Sequence, residues 1–145
     1  MKDESQQQSE LQQDPLIQQV LARDPEQVYA QGYAAWQQQD FDEARIHFSW
    51  LVMSQPWSWR AQVALAGVLM MQQEYVLAID HYGYALILDA SHPEPVCQIA
   101  VCLQALGDDT AARQALQTAL AMSYDDPSHD DVRLRAEHLL QQLLI

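Results

Sequence analysis

At 145 residues the chain is one domain long enough for a substantial core, and its 49% hydrophobic content excludes a wholly disordered protein. Only four glycines stand against abundant Gln, which favours helices over sheets. The formal charge is −13, with Lys2 the only lysine, so the surface repels phosphate backbones and anionic lipid, and neither nucleic acid nor membrane is expected as a partner.

Residues 1–13 are polar and Gln-rich and read as a flexible arm. They contain no apolar stretch of the kind a secretory signal needs, and the longest apolar run, residues 63–71, is too short to cross a bilayer. Asp14 before Pro15 is an N-cap followed by Pro in the first turn, which predicts a short helix within 14–24 carrying Leu16, Ile17, Val20 and Leu21. Asp24 and Pro25 repeat the signal.

From there one pattern is written three times at a spacing of 34 residues. Gly32, Ala66 and Ala100 are in register, as are Ala44, Ala78 and Ala112, then Phe48, Tyr82 and Leu116, then Leu51, Ala85 and Ala119. That period belongs to the tetratricopeptide helix–turn–helix unit. Such a unit cannot bury its apolar face alone, so several stack into a curved solenoid with a groove. The repeats are predicted at 25–57, 58–90 and 91–124. Ser91 or His92 caps the third, and Gly107 stands in its turn. Residues 125–145 place Val132, Leu139, Leu140 and Leu143 on one stripe, a helix capping the end of the stack. The predicted fold is all-α: three tetratricopeptide repeats in a superhelical stack with N-terminal and C-terminal flanking helices, about eight helices in all.

In such repeats the first helix of each pair lines the concave side. By register the groove is expected to hold Tyr29, Tyr33 and Trp36 from the first unit, Val63, Gly67 and Met70 from the second, and Cys97, Val101 and Gln104 from the third. It is aromatic at one end and apolar, with Met as a deformable contact, beyond. Some of these residues are equally placed to pack against the next repeat. Trp50 points to the convex side, where exposure would mark an interface. Trp57 and Trp59 sit between the first two repeats and read as packing wedges.

No constellation supports catalysis, so the chain is not expected to be an enzyme, and no cofactor is expected. The five histidines show no zinc spacing, and His47 and His81 share a repeat position that reads as surface. Asp125, Asp126, Asp130 and Asp131 lack the Gly and terminal Glu of a calcium loop. Cys97 and Cys102 are offset by about 140° on a helix and read as small apolar residues of a reducing compartment.

Residues 29–37 (YAQGYAAWQ), 48–61 (FSWLVMSQPWSWRA) and 82–96 (YGYALILDASHPEPV) resemble the class II chaperones of bacterial type III secretion, the LcrH/SycD-like family. The resemblance runs from Pro15 to about Tyr124. It implies a cytoplasmic chaperone that holds a translocator or effector before export, with an extended apolar segment of that client in the groove. It also implies a weak homodimer through the N-terminal helix, here Leu16, Ile17, Val20 and Leu21, and the first repeat. The chain departs from the pattern at Gln39 and Gln73, where a small turn residue is usual. Two other readings stay open, a generic tetratricopeptide adaptor and a structural subunit of a secretion complex. A peptide-carboxylate clamp would need basic side chains that this groove lacks beyond Arg60.

Overall fold

Helix follows helix in antiparallel pairs, each pair one 34-residue unit. The computed structural model describes residues 3–144, and all of their side chains except those of 19–21. Helices α1 (Glu4–Gln13) and α2 (Pro15–Leu21) precede the repeats. The repeats are α3 (Pro25–Gln37) with α4 (Phe41–Ser54), α5 (Trp59–Met71) with α6 (Tyr75–Leu88), and α7 (Pro93–Ala105) with α8 (Asp109–Ser123). A short 3₁₀ turn at Pro127–His129 leads into the closing helix α9 (Asp130–Leu143). The described residues thus form nine α-helices where about eight were expected. The extra one is α1. Its stretch read as a loose arm because it has no apolar face, yet Asp3 caps it, accepting from the Gln6 N–H at 2.8 Å, and Gln and Glu are good helix formers. None of its residues is buried.

The repeat register is the packing register. Ala44, Ala78 and Ala112 are fully buried, and small residues at Gly32, Ala66 and Ala100 let the paired helices approach closely. Phe48, Tyr82 and Leu116 fill the space between. The first two repeats share one apolar cluster, and the third forms another with Val132 and Ala136 of α9, flanked by Leu139, Leu140 and Leu143. Asp14, Asp24, Asp40, Ser58 and Asp108 cap their helices with side-chain oxygens. His92 occupies the cap of α7 without a side-chain bond to the helix, its Nε2 lying 3.2 Å from Asp89 Oδ2, and Ser91 donates to Asp89 at 2.6 Å.

The turns inside the three repeats are built alike. Gln39, Gln73 and Gly107 stand 34 apart and have φ of 60°, 63° and 85°. Beside each, an N–H reaches back five residues, Asp40 to Ala35, Glu74 to Leu69 and Asp108 to Leu103, closing the helix end in the Schellman manner. Only the third repeat has the Gly this conformation favours. The glutamines at the other two accept left-handed backbone at a cost of about 1 kcal/mol each.

Several convex-side expectations are corrected. His81 is not a surface residue: its Nδ1 lies 2.8 Å from the oxygen of buried Gln62, and burial lowers its pKa. His47 bridges Glu43 and Arg23, each at 3.0 Å. Trp50 is half-buried beneath the Arg23 guanidinium, 5.1 Å from its ring centre. Of the two wedge tryptophans, Trp59 packs on His92 with ring centres 4.5 Å apart, whereas Trp57 is exposed.

Candidate binding groove

Helices α3 and α5 place one wall of a pocket of about 260 Å³ between the first two repeats. Tyr33 and Trp36 come from α3, and Val63, Gly67, Met70 and Met71 from α5. Spacings of three and four residues put each set on one helical face. The Trp36 ring is held edge-on by Phe41 at 5.4 Å between centres, and Tyr33 meets Phe48 edge-on at 5.3 Å. The aromatic wall is therefore fixed before anything binds. Trp36, Val63 and Met70 are half-buried and Tyr33 is exposed, so apolar surface remains for a ligand.

The five expected residues Tyr33, Trp36, Val63, Gly67 and Met70 meet at this pocket. Two others are taken up by the core. Tyr29 is 3% exposed: its ring stacks on Tyr33, its hydroxyl lies 3.3 Å from Ser58 Oγ, and the Arg60 guanidinium sits 3.8 Å from its ring centre. Arg60 is in turn paired with Glu26 at 3.3 Å. Cys97 is fully buried in the cluster that α9 completes. Val101 and Gln104 are half-buried on α7 and do not line this pocket.

The floor and far end were not foreseen. Phe48 and Tyr82 reach the pocket from the second helices of their repeats, past the small residues of the first. Glu94 and Gln98, one turn apart on α7, close it. The Gln98 amide donates to Glu94 at 3.0 Å, and Arg135 of α9 pairs with the other Glu94 oxygen. A signal for this edge exists in the register, since Glu26, Arg60 and Glu94 stand 34 apart.

Both cysteines are enclosed by packing. Burial pushes the Cys102 thiol up to about 11 and raises Cys97 as well, the behaviour of packed rather than reactive thiols. Among the described residues no group of three or more His, Cys, Asp or Glu is placed to hold a metal ion. Asp126, in the acidic cluster, caps the 3₁₀ turn through the Ser128 N–H. No helix among the described residues is long and apolar enough to cross a membrane.

Known proteins share this architecture. A tetratricopeptide-repeat family model matches residues 29–93. Low calcium response locus protein H (LcrH) of Yersinia pseudotuberculosis is 25% identical over 118 residues, which cover 81% of this chain and 70% of that protein. PcrH of Pseudomonas aeruginosa, in complex with the chaperone binding region of PopD, superposes with a TM-score of 0.78 at 27% identity, over 82% of this chain and 90% of PcrH. The type III secretion translocator chaperone SycD of Yersinia enterocolitica has the same fold, with a TM-score of 0.78 at 23% identity over 82% of each chain. Repeat, fold and relatives agree: the chain carries tetratricopeptide repeats, is similar in sequence to LcrH, and has the fold of the translocator chaperones PcrH and SycD.

Proposed function

We propose that this protein is a cytoplasmic chaperone of type III secretion, not an enzyme, which holds an apolar segment of a translocator or effector in the groove between its first two repeats until export. The observation that carries this is the preformed pocket of Tyr33, Trp36, Val63, Gly67 and Met70, in a chain whose relative PcrH binds the chaperone binding region of PopD. Residues 29–37, 48–61 and 82–96 look like the secretion chaperone B of the Salmonella pathogenicity island 2 system, which makes a client of such a system the first to test.

The physical logic is simple. An exported client stays incompletely folded, and its apolar segments would aggregate in water. Covering them in the groove stabilises the pair by about 25 cal/mol for each Å² of apolar surface removed from water. Ordering the client opposes this by a few kcal/mol, so the complex remains releasable without nucleotide hydrolysis. The net charge of −13 keeps the loaded chaperone in solution. Co-expression with the translocators and effectors of its own secretion system is expected to yield a soluble complex with one of them. A client that stays insoluble beside the folded chaperone, for every member of the set, contradicts the reading.

The chaperone is also proposed to form a weak homodimer through α2 and the first repeat. Leu16 is 73% exposed and Ile17 half-buried on α2, while the side chains of Val20 and Leu21 lie outside the described residues. Ile46 and Met53 add exposed apolar surface on α4. Deleting residues 1–22 is expected to convert the dimer to monomer in sedimentation, leaving the repeats helical. A monomer at every concentration in the full chain contradicts it.

A further inference from the structure

Tyr82 carries a hydroxyl that packing does not require. Its ring fills the repeat position held by Phe48 one unit earlier and Leu116 one unit later, and neither of those has an oxygen. Tyr82 is 2% exposed, and its Oη has no hydrogen-bond partner among the described residues. Among the described residues, the side-chain atoms fully enclosed without a partner are Trp59 Nε1, Arg113 Nε and Arg133 Nε. Tyr82 Oη is not one of them, because it opens on the pocket that Tyr82 lines. In the free protein that oxygen can meet only water in the pocket, and the packing around the ring would be served as well by Phe, so the hydroxyl is placed to bond with a group that enters the pocket and displaces that water.

Gly67 uncovers it. A Cβ built on Gly67 would lie 3.8 Å from Tyr82 Oη and 3.7 Å from the Trp36 ring, so any longer side chain would cover the hydroxyl. Gly is a poor residue for the middle of α5, and its use here keeps open a path by which backbone can come close.

The chemistry of the opening is that of a peptide group. Burial raises the Tyr82 pKa, so the phenol stays protonated and donates. Gln98 gives its amide N–H to Glu94, which leaves its oxygen as an acceptor at the same end of the pocket.

We propose that Tyr82 Oη donates a hydrogen bond to a backbone carbonyl of the client, at the residue whose apolar side chain enters between Trp36, Val63 and Met70, and that Gly67 is bare to admit that backbone. The inference rests on the groove reading above and deepens it. The pocket then selects extended chain as well as an apolar side chain, because the carbonyls of a helix are already engaged within it.

The minimal probe is N-acetyl-leucine N-methylamide, one apolar side chain between two peptide groups, titrated at millimolar concentration into the full chain. The indole N–H resonance of Trp36, assigned with Trp36→Phe, reports on the pocket. Wild type is expected to show a saturable Trp36 shift, Gly67→Leu to abolish it, and Tyr82→Phe to weaken binding about five-fold with an unchanged or raised thermal midpoint. Equal affinity in Tyr82→Phe overturns the hydroxyl inference and leaves the groove reading standing. A thermal midpoint lowered by several degrees in Tyr82→Phe also overturns it, since the hydroxyl then serves the fold. If the probe leaves Trp36 unmoved in wild type, the pocket does not take an apolar residue, and the groove reading falls with the inference.

Discussion

Gly32→Ala is expected to destabilise the protein by about 3 kcal/mol, although Ala is the better helix former. A Cβ at Gly32 would fall inside contact distance of the Phe48 ring, with Cζ at 2.8 Å and Cδ1 at 2.9 Å. Phe48 is fully buried and flanked by Tyr29 and Tyr33, with ring centres 6.4 and 5.3 Å away, so its ring can give way only by giving up these contacts and moving into the pocket it lines. The same substitution at Gly83, half-buried in the middle of α6 with nothing within 4 Å of the new methyl, should instead gain about 1 kcal/mol at most. Shortening the obstructing ring, as in Gly32→Ala with Phe48→Leu, should recover part of the loss. Urea denaturation of the four chains reads this directly. Equal midpoints for Gly32→Ala and Gly83→Ala would show that the close approach of α3 and α4 does not set stability.

The fold was legible because the 34-residue register is at once a sequence pattern and a packing pattern. Ala44, Ala78 and Ala112 occupy one place three times, and each sits where only a small residue fits. Helix α1 was illegible for the opposite reason: helices without an apolar face leave no period to read. The register also named the face on which Tyr33, Trp36, Val63, Gly67 and Met70 meet. Depth was beyond its reach. Tyr29 lies on that same face, but Arg60 from the next repeat covers it, and Cys97 is buried by the closing helix. Nor does helical period tell how far a side chain reaches. Phe48 and Tyr82 read as core, and they are, yet both extend to the pocket floor. His81 shows the same limit, since its partner Gln62 belongs to the other helix of its repeat.

The second large effect concerns the groove itself. Binding energy in such sites is concentrated in a few anchors, with losses of about 2–4 kcal/mol on truncation of an aromatic one. Trp36→Ala removes the widest apolar wall of the pocket, but it also releases Phe41 and so tests packing together with binding. Met70→Glu is the cleaner change. Met70 is half-buried at the groove, so a carboxylate there keeps access to water in the free chaperone and loses it only when an apolar client covers it. A loss of affinity of at least 2 kcal/mol, about thirty-fold, is expected with helical content and thermal midpoint unchanged.

Titration calorimetry of wild type and Met70→Glu, against the client segment defined by co-expression, is therefore the most direct measurement. A client gripped in the groove predicts that Met70→Glu binds at least about thirty-fold more weakly while remaining fully folded. Equal affinity in the two folded proteins would place the client elsewhere and contradict the groove as the seat of chaperone function.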